Sequence, residues 1–145
     1  FVYIVPMTNF GYCVWFEPCD GCAWASSCRY FVPHISVRTC MSRASALSLL
    51  RSLPRASCEV RLLGSVYQCR VGDFYALQQD VEAVPRPAWW PDNAHVSFRY
   101  RYHVPFTPFE ISSVCSSVSC VSCAFGRLSV WCCDGDYQTW SEVSI

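Results

Sequence analysis

The run SCEVRLLGSVYQCRVGDFYALQQDVEAV, residues 57–84, decides how this chain folds. Its first half, 57–71, reads as a β-hairpin turning near Gly64, with Val60, Leu62, Val66 and Val71 toward the core. Its second half reads as a helix. Asp73 is placed to cap it, and Phe74, Leu77, Val81 and Val84 fall on one helical face. The proline-rich segment 85–91 then ends it.

Working outward, MSRASALSLLRSL (41–53) also has helical spacing, with Ala46, Leu47, Leu50 and Leu53 on one side. Ser42 is the expected cap and Pro54 the stop. Downstream, HVSFRYRYHV (95–104) alternates strictly, as a strand does. Val96, Phe98, Tyr100, Tyr102 and Val104 point one way. His95, Ser97, Arg99, Arg101 and His103 point the other. Toward the N-terminus, FVYIV (1–5) and YCVWF (12–16) read as strands joined by a turn through Pro6 to Gly11. Residues 17–28 read as loop, and 29–39 contain another extended piece. RLSVWCC (127–133), Asp134-Gly135 and DYQTWSEV (136–143) give a second hairpin signal. The expectation is an α+β fold over one domain, 1–145: a mixed or mostly antiparallel sheet with two helices packed on it.

Composition narrows the functional classes. Of 145 residues, 52% are hydrophobic, and the formal net charge is zero. That is too apolar for a disordered chain and too neutral for one that holds nucleic acid mainly through phosphates. All eleven basic residues are Arg, while Asn occurs only twice. Scarcity of adenine-rich codons explains this bias, which is seen in organelle genes and in some viruses. Twelve cysteines suit either a disulfide scaffold or, if the coding bias inflates them, small buried thiols. No stretch supplies the roughly twenty continuous apolar residues of a membrane helix.

Few motifs carry chemistry. Cys19 with Cys22, and Cys120 with Cys123, form two Cys-x-x-Cys pairs that could offer four thiolates to one zinc; chance clustering among twelve cysteines is the plainer alternative. No phosphate loop, His-Glu-x-x-His motif or nucleophile context is present, so no catalytic residue and no cofactor are expected. Arg99 and Arg101 beside Tyr100 and Tyr102 suggest nucleic-acid contact, but strand geometry puts the two sets on opposite faces. Trp89 and Trp90 read as the anchor of a packed turn, with indole N–H groups bonded to backbone. Trp89, Trp90, Arg99, Arg101 and His103 are the candidate interface residues.

Several pieces in order resemble the thirty-kilodalton subunit of respiratory complex I, the NADH dehydrogenase subunit 9 family. ISVRTCMSR (35–43) precedes a helix, and LSLLRSLPRASCEVRLL (47–63) is similar to the family's helix end and following strand. AVPRPAWWP (83–91) is similar to its Val-Pro to Trp-Pro turn, and YHVPFTPFEI (102–111) to its close. The likeness spans about 31–111, leaving 112–145 as a Cys- and Ser-rich extension. It implies a non-catalytic structural subunit on the matrix side of the mitochondrial inner membrane, bracing cofactor-bearing neighbours and holding no cofactor itself. A rival likeness joins CEVRLLGSVYQCRVGDFYALQ (58–78) and FRYRYHV (98–104) to the decoding-centre protein family of the small ribosomal subunit, with rRNA as the implied partner. A zinc-binding or disulfide-rich interaction module is the third expectation.

Overall fold

A computed structural model of the chain describes residues 8–19, 22, 24, 32–118 and 120–145. The strand expected at 1–5 lies outside these. The elements are β1 (Thr8–Pro18), β2 (Ile35–Met41), α1 (Arg43–Ser52), β3 (Cys58–Val71), β4 (Phe74–Val84), β5 (His95–Tyr102), α2 (Pro108–Ser117), β6 (Ser122–Gly135), a short 3-10 turn (Tyr137–Thr139) and β7 (Ser141–Glu142). The seven strands form one antiparallel sheet in the order β2-β1-β6-β3-β4-β5, with β7 paired to β6. This is an α+β fold with two helices.

The 57–84 run departs from its sequence reading twice. No hairpin turns at Gly64. The chain stays extended as β3 and absorbs Gly64, which has φ +65, at an irregularity between Leu63 and Tyr67. The reversal comes at Gly72-Asp73, where Val71 pairs directly with Phe74. Gly72 takes φ +58, the left-handed region a glycine enters without steric cost. Residues 74–84 are therefore strand, and Asp73 caps no helix. Phe74, Tyr75, Ala76 and Leu77 are buried in succession because β4 is covered on both faces. A strand buried on both sides has no two-residue polar period, so its apolar residues fell by chance at helical spacing. Val71 and Val84, both expected inside, are 57% and 48% exposed.

α1 forms where the sequence places it. Ser42 caps it by accepting from the Ser45 N–H, and Ala46 is buried against Val14 and Val130. The second helix lies at 108–117 instead of 74–84. Its signal is Thr107-Pro-Phe-Glu110, a capping box in which Thr107 and Glu110 each accept from the other's backbone N–H.

β5 alternates, but not throughout. Its pairing with β4 slips between Leu77/Arg99 and Gln78/Ser97, leaving Phe98 as the extra residue. A one-residue slip reverses the faces beyond it. Val96 and Phe98 enter the main core. Tyr100 then joins His95 and Ser97 on the opposite side, and Val104 is 58% exposed. The hairpin expected at 127–143 also has a longer reversal than Asp134-Gly135. The strand runs through Gly135, and the 3-10 turn follows before β7 pairs at Trp131/Glu142.

β2 and β5, at opposite ends of the strand order, lie in contact. The sheet therefore curls until its margins meet. One face carries Phe16, Ile35, Val60, Leu77, Val96 and Phe98, covered in part by α2 through Val114. The other gathers Cys13, Trp15 and Cys133 with Phe10, Trp131 and Trp140.

Candidate functional site

Six strands contribute to one cavity of about 260 Å³ on the second face. Its floor is built from alternate residues of neighbouring strands: Cys13 and Trp15 of β1, Phe74 and Ala76 of β4, Ser97 of β5 and Cys133 of β6. Thr39 of β2 and Val71 of β3 are exposed lining residues and mark the opening. Rings dominate the wall. Trp15 stacks on Trp131 at 4.4 Å between centroids, and Trp140 meets Trp15 edge-on at 6.2 Å. Phe10 and Trp140 meet at 80°, and Tyr100 approaches Phe74 at 4.9 Å. The Trp140 indole N–H donates to Thr8 Oγ1, which anchors that ring.

His34 lies flat on Trp15, with centroids 3.4 Å apart and planes 6° from parallel. Its Nδ1 is 2.7 Å from the Val32 carbonyl oxygen, which fixes Nδ1 as the donor. Burial lowers the His34 pKa from 6.5 to about 3, partly countered by the Val32 carbonyl and reinforced by His95. The imidazole is therefore neutral at neutral pH. Cys13 and Cys133 sit in the same cluster, each 1% exposed. Their shared hydrogen bond and burial push the Cys133 thiol well above its usual range. A thiol so held is a wall element and a poor nucleophile.

Beside the ring cluster, Glu17 is 3% exposed and accepts from Arg127 Nη1 at 2.9 Å and from the Ser129 hydroxyl. Burial raises its pKa, against the lowering effect of Ser129 and Arg127. Arg127 also reaches Glu142, so one guanidinium ties β1, β6 and β7 together. All parts of this group are accounted for as a cross-strand tie.

The candidates read from sequence fall elsewhere. Arg101 makes a two-pronged contact with Glu110 and lies 4.4 Å from the centroid of Phe106. That guanidinium pulls the Glu110 pKa down to about 2. Arg101 thus fastens β5 to α2. Arg99 Nη1 donates to the Phe98 carbonyl, and exposed His103 approaches Asp73 at 3.6 Å. Trp89 and Trp90 are half-buried. Both meet Phe16 edge-on, and the Trp89 N–H donates to the Pro54 carbonyl. The bulge at Phe98 exchanges partners on β5: Tyr100 reaches the ring-walled cavity, and Arg101 turns to Glu110.

The two Cys-x-x-Cys pairs come to the same end of the sheet. The Cys19 N–H donates to the Ala124 carbonyl, and Cys22, Cys58, Cys120 and Cys123 all belong to or pack on the main core. Among the described residues, no three Cys, His, Asp or Glu side chains are arranged to hold a metal ion, and none of the eleven described cysteines is in a disulfide. Among those residues, too, no helix is long and apolar enough to cross a membrane.

Sequence reasoning missed the cavity. Its clearest local signals were Gly72-Asp73, which turns β3 into β4, and the continuous apolar run 74–77. The fold sets the class of this protein as an α+β domain on a curled antiparallel sheet. No family model, curated protein or solved structure matches the chain.

Proposed function

We propose that this chain is a non-catalytic subunit that joins a larger protein assembly through the open side of β3. The observation that carries this is the strand edge from Leu63 to Val71. β6 pairs with β3 only over Cys58–Arg61, while β4 follows the other edge along nearly all of it. Beyond Leu62, which donates to Val121, no described strand pairs with the first edge. Leu63, Tyr67 and Val71 are 41%, 39% and 57% exposed along this segment. An unpaired edge with apolar side chains is a template for a strand from another chain.

The resemblance of residues 31–111 suggests which assembly: the matrix arm of mitochondrial complex I, where the chain would brace cofactor-bearing neighbours. The helix followed by a strand that the resemblance implies at 47–63 is consistent with α1 and β3. Mass spectrometry of native complexes carrying a tagged copy tests the reading. Copurification with respiratory subunits is expected, weakened by Leu63→Lys with Tyr67→Lys. Recovery only with ribosomal subunits, or only as a free chain, overturns it.

A further inference from the structure

We infer that the cavity on the ring-lined face is a binding site for a neutral, planar aromatic molecule of one or two fused rings. The inference rests on the ring-lined cavity, which shares Val71 at its mouth with the β3 edge, and it stands whether or not the chain joins an assembly.

Four observations lead to it. The first is size. An apolar protein cavity of about 150 Å³ accepts benzene, and this one, at about 260 Å³, has room for a second ring. The second is shape. Phe74, Tyr100 and Trp140 line the space with ring surfaces, while Trp15, stacked between His34 and Trp131, closes it; an aromatic guest meets such rings offset-stacked or edge-on. The third is charge. The lining contains no Arg, Asp or Glu, His34 is held neutral, and the other imidazole, His95, is tied through Nδ1 to the Asn93 carbonyl. A cationic ligand would lose its hydration without gaining a counter-charge, and an anionic one would meet no group of opposite charge but the His95 ring. The fourth is access. Thr39 and Val71 open the cavity to solvent, while the floor is closed by buried Trp15, Ala76 and Cys133.

Polar groups interrupt the rings. Ser36, Gln78, Ser97 and His95 also line the space. A few polar groups in an otherwise apolar wall orient a ligand and do not merely solvate it. A planar molecule with one N–H or O–H meets both kinds of surface.

The test uses indole as the probe, with calorimetry and ligand-observed NMR on the full chain. Saturable 1:1 binding is expected. Indole-3-acetate and tryptamine, which add a negative and a positive charge to the same ring system, should bind at least about tenfold more weakly. Thr39→Trp plugs the opening from an exposed position, so it should abolish binding while leaving the circular dichroism spectrum unchanged. Ala76→Leu fills the floor and should weaken indole at least about tenfold. The inference fails if indole shows no saturation up to its solubility limit. It also fails if the charged analogues bind as well, or if a folded Thr39→Trp variant binds indole like the parent.

Discussion

β4 holds two adjacent residues that meet opposite conditions. Leu77 is fully buried in the main core, among Val60, Val96 and Phe98. Ala76, one residue earlier, is also buried, yet it faces the open space beneath Trp15 and Phe74. The same strand thus divides a filled face from a hollow one. The filled face packs branched aliphatic side chains such as Val60, Leu77 and Val96 between rings such as Phe16, Phe98 and Phe125, and Leu77 sits where these interdigitate. The hollow face uses large flat rings whose edges and faces brace one another. Such rings can bound a space without collapsing into it, because each is fixed by a neighbouring ring or by its N–H.

The comparison breaks most severely at Leu77→Ala. Removing that side chain from a packed face should cost about 2–5 kcal/mol, read from the denaturant midpoint at unchanged m-value. Acid comes next, and acts from the hollow side. The fold favours neutral His34, whose pKa falls from 6.5 to about 3. Its contribution to stability is therefore complete above about pH 6.5 and is lost as pH falls toward 3. A decline of a few kcal/mol is expected over that window in urea titrations, and His34→Phe should flatten it. Thr107→Ala removes the capping hydroxyl of α2 and should cost about 1 kcal/mol in the same assay. Ala76→Leu is the smallest and most informative. Overpacking a filled core costs about 1–3 kcal/mol, but the cavity can take the added methylenes, so a change below about 1 kcal/mol is expected. A loss as large as that of Leu77→Ala would show that the two faces are packed alike.

What could be read directly from the sequence follows from how local each signal is. α1 was legible because its cap, apolar spacing and stop lie within fourteen residues, Met41 to Pro54. The fold class followed from it together with the alternation in β5. β4 was not legible, since burial on both faces erases the pattern that distinguishes strand from helix. Attention to Gly72-Asp73, a two-residue turn signal between two apolar runs, would have recovered it. Likewise Thr107-Pro-Phe-Glu110 announces α2 in four residues. The candidate cavity is different in kind. Phe10 and Trp140 share its wall although nearly the whole chain separates them, and His34 reaches Trp15 only because β2 pairs with β1. No sequence window contains that information. Arg101 shows the converse: a residue singled out for recognition is occupied by an intramolecular partner, Glu110, nine positions away.

β1 pairs along almost its full length with β6, so Thr8 donates to the Cys133 carbonyl across 125 positions. At roughly 5–20 residues per second, a ribosome takes roughly 6–25 seconds to add the residues between them. Throughout that interval Cys13, Val14, Trp15 and Phe16, all buried in the finished protein, lack the strand that shelters them. These four residues therefore emerge with their apolar side chains uncovered, and the order of synthesis leaves β1 open to association with other chains until β6 is made.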